Sequence, residues 1–172
     1  MDTDDRREQL QEWRDESGYT SVDPAPPQTP PSQAAEVARL RAQLLDRDLA
    51  MFQRMRAVFA LRNEGGEAAV EALAAAFADP SALLRHELAY VLGQMQDPHA
   101  VPFLTEVLAT EDEHVMVRHE AAEALGAIGL PESKAVLERF LHDPNPEVAE
   151  SCEVALDLIA WVNSDDLHYA EA

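Results

Sequence analysis

The sequence predicts an all-α fold built from stacked helical repeats, and three observations support this prediction. Apolar residues make up 47% of the chain but aromatic residues only 6%, with alanine and leucine dominating, which is typical of packed helices. From Ala34 onward the apolar residues recur with helical spacing. The same stretch resembles itself at intervals of 31 to 33 residues, which indicates a repeat architecture.

Each repeat is predicted to contain two helices separated by a turn. The equivalent marker positions, separated by 31, 33 and 31 residues, are Leu61, Leu92, Leu125 and Leu156. The second helices of the repeats are predicted at 67–78, 99–109 and 131–141. Pro98 and Pro131 fall where helix starts tolerate proline. One helix pair cannot bury its own apolar stripe, so about four pairs are expected to stack into a solenoid of the HEAT type.

Three segments are predicted along the chain. Residues 1–33 form an N-terminal tail with a short helix near Leu10 and Trp13 and an extended proline-rich linker, because its prolines remove backbone donors. Residues 34–162 form the repeat lobe, and residues 163–172 form a C-terminal tail. The predicted core of the lobe contains Leu61, Leu73, Leu92, Leu104, Leu125, Leu137 and Leu141.

The charge of the chain limits its partners. Thirteen basic residues against thirty-three acidic ones give a formal net charge of −20, which repels nucleic acid and anionic membrane surfaces and attracts basic partners. Cys152 is the single cysteine, so no internal disulfide can form. Because the sequence also has no apolar stretch of membrane-spanning length, we expect a cytoplasmic protein that binds neither nucleic acid nor membranes.

Two repeats carry a histidine-glutamate doublet in the same phase. Six residues before the markers stand Met55-Arg56, His86-Glu87, His119-Glu120 and Glu150-Ser151. Equivalent positions of stacked repeats project in the same direction from helices about 10 Å apart. The two His-Glu doublets are therefore expected to face one shared groove. A single doublet would indicate only a surface pair, whereas recurrence in phase indicates a site.

These side chains form a metal-ligand set. Two imidazoles and one or two carboxylates leave open positions on a metal, as non-haem iron requires for oxygen or substrate, although zinc and manganese also fit. Adjacent residues differ by about 100° around a helix, so one member of a doublet can ligate while the other faces substrate. No further catalytic side chain is predicted beyond this metal site.

The segments around the doublets resemble a known enzyme family. SALLRHELAYVLGQMQD at 81–97 and MVRHEAAEALGAIG at 116–129 are similar to the signature segments of deoxyhypusine hydroxylases. YTSVDPAPP at 19–27, FALRNEGG at 59–66 and SCEVALD at 151–157 resemble the linker and C-terminal lobe of that family. The resemblance covers about residues 19–160 and concerns the C-terminal lobe only.

The resemblance implies an iron-dependent oxygenase. Members of that family have two HEAT-repeat lobes, each with two His-Glu motifs, and an Fe(II) di-iron centre between the lobes that uses dioxygen as co-substrate. They hydroxylate the deoxyhypusine side chain of translation initiation factor 5A to hypusine. Transferred motif by motif, the resemblance implies that His86, His119 and Glu120 bind one iron. It also implies that Glu87 contacts the amines of the substrate and that Met116 lines the pocket.

The sequence contains two His-Glu motifs where the family has four. We therefore expect one lobe that is inactive by itself and needs a complementary lobe or a second copy to complete the di-iron site. A fragment, a split or dimeric enzyme, and a descendant that lost the reaction all fit this pattern. The alternative function is a non-catalytic acidic HEAT-repeat adaptor that holds a basic partner.

Overall fold

The computed structural model describes residues 32–164 and the backbone of residues 19–20 and 23–24. The chain divides into two units, Met1–Ser32 and Gln33–Ala172. In the first unit, β1 (Tyr19–Thr20) pairs with β2 (Asp23–Pro24) in an antiparallel register. The predicted helix near Leu10, the rest of the proline-rich linker and residues 165–172 lie outside the described residues, and the predicted segment boundaries stay predictions.

The second unit is a helical repeat, so the predicted all-α fold is confirmed. Its described helices are α1 (Gln33–Leu45), α2 (Met51–Glu64), α3 (Gly66–Ala74), α4 (Ala82–Met95), α5 (Val101–Ala109), α6 (Val115–Ile128), α7 (Lys134–Arg139) and α8 (Pro146–Val162). Short 3₁₀ turns occupy Ala75–Ala78, Pro98–Ala100 and Pro131–Ser133. Two of these turns begin with the prolines that the sequence placed at helix starts.

The helices form two layers. The front layer consists of α2, α4, α6 and α8, which pack against one another in that order. The back layer consists of α1, α3, α5 and α7, and its helices α1, α5 and α7 contact α2, α6 and α8, respectively. All the doublets identified in the sequence lie on the front layer, so neighbouring doublets are on neighbouring helices. No helix in the described part combines the length and apolarity that crossing a membrane requires.

The core lies between the two layers, and most of the predicted core leucines are there. Six of them are fully buried: Leu61, Leu73, Leu92, Leu104, Leu125 and Leu137. Leu141 is only partly buried, because it follows α7 in a turn, and the marker Leu156 is also partly buried. Leu156 lies on α8, the last described helix, where no later described repeat covers the side chain.

Buried arginines tie each front helix to the start of the next one. Arg118, the residue before His119, donates from Nη2 to Asp143 Oδ2 at 2.6 Å, and from Nε to the Leu108 carbonyl at 2.9 Å. Asp143 Oδ1 accepts the backbone N–H of Asn145, the residue that precedes α8. The Arg118–Asp143 pair therefore fixes where α8 begins relative to α6.

Arg54, two repeats before Arg118, makes the same arrangement between α2 and α4. Its Nε donates to the Leu44 carbonyl at 2.8 Å and its Nη2 to Asp79, which accepts the backbone N–H of Ser81 at the start of α4. Burial tends to raise the pKa of Asp79, but the hydrogen bonds from Arg54 and Ser81 and the nearby positive charges outweigh it and hold that pKa below its usual value. The pKa of Asp143 is lowered in the same way by Arg118 and Asn145 against the effect of burial.

Arg85, in the repeat between Arg54 and Arg118, forms the third pair of this kind. Its guanidinium makes a bidentate pair with Glu113, with Nε–Oε2 and Nη2–Oε1 distances of 2.8 and 2.6 Å. Glu113 also accepts the backbone N–H of His114, and the His114 ring accepts the backbone N–H of Met116 in the first turn of α6. This ion pair sets the register between α4 and α6, which are the two helices that carry the His-Glu doublets.

Replacing Arg118 with leucine tests how much one of these arginine–carboxylate pairs contributes to stability. Arg118→Leu leaves Asp143 buried without its partner, so we expect the free energy of unfolding to fall by about 3–5 kcal/mol in urea titrations. Arg41→Leu is the matched control, because Arg41 is exposed on α1, and it should change stability by less than about 0.5 kcal/mol. Equal effects of the two substitutions would contradict a structural role for the buried pair.

Candidate metal centre

The two His-Glu doublets meet at one carboxylate oxygen. His86 lies on α4, and its Nε2 atom is 3.2 Å from Oε2 of Glu120 on α6. The Nε2 atom of His119 is 4.0 Å from the same oxygen. Both predicted histidine ligands therefore lie beside the third predicted ligand, Glu120, but His86 is not in the group of described residues whose potential ligand atoms all lie within 4.8 Å of one another. Whether they bind a metal stays a prediction.

Glu120 lies deepest in this cluster. Its side chain is 10% exposed, against 29% for His86 and 22% for His119. Burial raises the pKa of Glu120, because the charged carboxylate loses hydration, and the attraction of the two imidazoles offsets only part of this effect. Negative charge on Glu123 and Glu87 acts in the same direction as burial. A cation at this position would stabilise the ionised carboxylate.

The distances of the two imidazoles from Glu120 are close to those between neighbouring ligands of one metal ion. Ligand atoms that bind one ion at about 2.1 Å in neighbouring positions lie roughly 3.0–3.5 Å apart. The 3.2 Å separation of His86 Nε2 and Glu120 Oε2 is in this range, and the 4.0 Å separation from His119 needs only a small contraction. Two nitrogen donors and one carboxylate also leave open positions, as oxygen-binding non-haem iron requires.

Glu123 is a further member of the cluster that the sequence reading missed. Its Oε1 atom is 3.7 Å from His119 Nε2, and potential ligand atoms of His119, Glu120 and Glu123 all lie within 4.8 Å of one another. The side chain is 47% exposed, so it is the most exposed candidate donor of the three. The spacing of four residues from His119 places Glu123 on the same helix face and could have identified it.

The two predicted substrate contacts differ in their surroundings. Glu87 Oε1 is 3.7 Å from His86 Nδ1, and the Glu87 side chain is partly exposed beside the cluster. Met116 is exposed in the first turn of α6, one turn before His119. It is not among the residues that line the described groove. Both assignments stay predictions.

The cluster opens into a groove of about 740 Å³ on the front layer. Glu120 and Glu123 contribute carboxylates to its wall, and Tyr90 and Val154 contribute exposed apolar surface. The remaining lining residues are Arg62, Gly93, Gln94, Gln96, Ala124, Ala127, Ala155 and Leu158. The groove therefore combines an acidic part with apolar walls, which suits a long side chain that carries positive charge.

Two glycines allow the front helices to approach closely. A Cβ atom on Gly93 of α4 would lie 2.9 Å from Ala124 Cα on α6, and one on Gly126 of α6 would lie 2.8 Å from Ala155 Cα on α8. Contacts this short are not possible for a real side chain, so only glycine permits this spacing. The same spacing sets the distance between His86 on α4 and Glu120 on α6.

Comparison with known proteins places the chain in a family. The HEAT repeats family model matches residues 70–157, and the chain belongs to that family. Its curated relatives include the deoxyhypusine hydroxylase of Danio rerio, which is 50% identical over 164 residues and 95% of this chain. The deoxyhypusine hydroxylase of Schizosaccharomyces pombe is 52% identical over 157 residues and 90% of this chain. The resemblance inferred from the sequence motifs is confirmed.

A solved structure agrees with these relatives. Human deoxyhypusine hydroxylase in complex with glycerol is 51% identical, with a TM-score of 0.71 over 87% of this chain. The matched region is 53% of that human chain, 52% of the Danio rerio protein and 49% of the Schizosaccharomyces pombe protein. The chain thus spans about half the length of the relatives that it matches.

Gly93→Ala tests the close approach of α4 and α6. Alanine favours a helix over glycine by about 1 kcal/mol, but its Cβ would meet the Ala124 backbone, so we expect a net loss of roughly 1–3 kcal/mol of stability in urea. Gln94→Ala, at the exposed next residue, is the control and should change stability by less than about 0.5 kcal/mol. A Gly93→Ala protein as stable as the wild type would mean that the helices do not approach this closely.

Proposed function

We propose that this chain forms one half of a deoxyhypusine hydroxylase, an iron-dependent oxygenase that converts the deoxyhypusine residue of translation initiation factor 5A to hypusine. The observation that carries the proposal is the convergence of His86, His119 and Glu120 in a chain about half identical to deoxyhypusine hydroxylases. A cytoplasmic location goes with this function and stays a prediction.

His86, His119 and Glu120 are proposed to hold Fe(II). When bound, the iron supplies the activation of dioxygen, so that one oxygen atom enters a substrate C–H bond and the other leaves as water with two electrons and two protons from a reductant. The protein's part is to present two neutral imidazoles and one carboxylate at short range. It also keeps the carboxylate away from bulk water.

The acidic groove is proposed to bind the deoxyhypusine side chain. The amines of that side chain are protonated near neutral pH, as a lysine amine is. The Glu87 side chain is 26% exposed and its Oε1 atom lies 3.7 Å from His86 Nδ1, so its carboxylate is at the edge of the cluster and is suited to pair with a substrate ammonium group. The net charge of −20 further attracts a basic protein partner.

A complementary half is proposed to supply the second set of ligands. The chain contains two His-Glu doublets, and it matches about half of each relative. A second iron would need donors beyond the cluster described above. These donors come from another lobe or from a second copy of the chain, and the lobe by itself is expected to be inactive.

Iron binding separates this function from that of an acidic adaptor. We expect the anaerobically purified chain to bind Fe(II) in calorimetric titrations, and the double variant His86→Ala/His119→Ala to lose about 100-fold or more in affinity, because both imidazole donors are removed. His142→Ala removes an exposed imidazole outside the cluster and should bind Fe(II) like the wild type. Unchanged binding by the double variant would rule out the proposed ligands.

Hydroxylation is expected only when the second half is present. The chain alone should not hydroxylate a deoxyhypusine-containing factor, whereas adding the unmatched half of the Danio rerio relative should produce hypusine that mass spectrometry detects. The same mixture made with His86→Ala/His119→Ala is the control and should remain inactive. Turnover by the chain as a monomer, with its mass measured by sedimentation, would contradict the need for a second half.

A further inference from the structure

The last repeat lacks a His-Glu doublet but contacts the candidate metal centre. At the position equivalent to Glu87 and Glu120 it carries Ser151, on α8. The Ser151 hydroxyl oxygen is 2.6 Å from Nδ1 of His119, across the interface between α6 and α8. Ser151 is 5% exposed, so water does not readily replace this contact.

The hydrogen-bond roles in this contact follow from the number of available protons. The Ser151 hydroxyl has one proton, and it donates this proton to the Glu147 carbonyl at 2.7 Å, because a carbonyl oxygen only accepts. The Ser151 oxygen can therefore only accept from the His119 ring. It follows that Nδ1 of His119 carries a proton.

The protonation of Nδ1 determines what the other ring nitrogen can do. In a neutral imidazole only one nitrogen carries hydrogen, so Nε2 of His119 has a free lone pair. This is the atom that lies 4.0 Å from Glu120 Oε2 and 3.7 Å from Glu123 Oε1. Ser151 thus selects the tautomer whose lone pair faces the carboxylates.

We propose that Ser151 is a positioning residue that orients His119 and fixes its tautomer for metal binding. This inference rests on the proposed function, since it assigns His119 Nε2 as a ligand atom. Partners that hold a ligating imidazole through its other nitrogen typically change metal affinity by roughly 10- to 100-fold. Ser151 receives this role through its place in the repeat, because the equivalent residue one repeat earlier, Glu120, also faces the doublet of the preceding repeat.

The tautomer is measured on the metal-free chain by nitrogen-15 NMR of the imidazoles, at a pH where they are neutral. The His119 signals are assigned by their loss in His119→Gln. We expect the wild type to carry its proton on Nδ1, and Ser151→Ala to show a mixture of tautomers or the Nε2-protonated form. In Fe(II) titrations Ser151→Ala should bind roughly 10- to 100-fold more weakly.

Two further variants separate positioning from packing. Ser151→Thr keeps a hydroxyl that can donate to the Glu147 carbonyl, and it should retain the tautomer and bind Fe(II) within a few-fold of wild type. Ser133→Ala removes an equally buried hydroxyl whose oxygen has no hydrogen-bond partner among the described residues, and it should leave both measurements unchanged. Circular dichroism confirms that each variant is folded.

The outcomes are distinct from those that test the proposed function. A proton on Nε2 of His119 in the wild type would overturn the inference, and this result does not depend on the folding of Ser151→Ala. Wild-type tautomer and wild-type Fe(II) affinity in Ser151→Ala would also overturn it. Failure of every protein to bind Fe(II) would count against the proposed function, while the tautomer of the metal-free protein would still decide whether Ser151 orients His119.

Discussion

The pairing of an arginine with a carboxylate at the start of the next front helix is the constraint on which the rest of the structure depends. Arg54, Arg85 and Arg118 lie one repeat apart, and each precedes the first residue of a doublet. Their partners lie in the turns that begin the following helices. Because a guanidinium pairs with a carboxylate in a fixed geometry, the register between neighbouring helices is set within a fraction of a turn.

This register is what makes two sequence doublets into one cluster. Arg85 immediately precedes His86, and its partner Glu113 lies just before α6, which carries His119 and Glu120. A shift of α4 along α6 by one residue would move Glu120 about 1.5 Å along the helix axis and change its distance from His86. The close contact between Gly93 and Ala124 fixes the distance between α4 and α6.

The cluster also shows how a repeat protein can build an asymmetric site from equivalent positions. The same front-layer position carries Arg56, Glu87, Glu120 and Ser151 in successive repeats. Glu120 faces His86, whereas Ser151 contacts the far side of the His119 ring. The last two of these repeats therefore present this side chain to the doublet of the repeat before them.

The sequence by itself determined the helical-repeat fold, the places where helices begin and the phase of the two doublets. Each of these depends on local periodicity, turn residues and a fixed repeat length, which are visible in one dimension. The same regularities predicted that the two doublets face one shared groove, whereas the choice of His86, His119 and Glu120 as ligands came from the family resemblance.

Only the tertiary structure decided which atoms meet. The contact of the Ser151 hydroxyl with His119 and the groove that runs past Glu120 depend on side-chain rotamers and on the distance between helices that are about 31 to 33 residues apart in sequence. The partial exposure of Leu156 is of the same kind, because repeat phase gives a residue's face but not whether another helix covers it. Periodicity specifies directions, whereas contacts across helices are specified by packing.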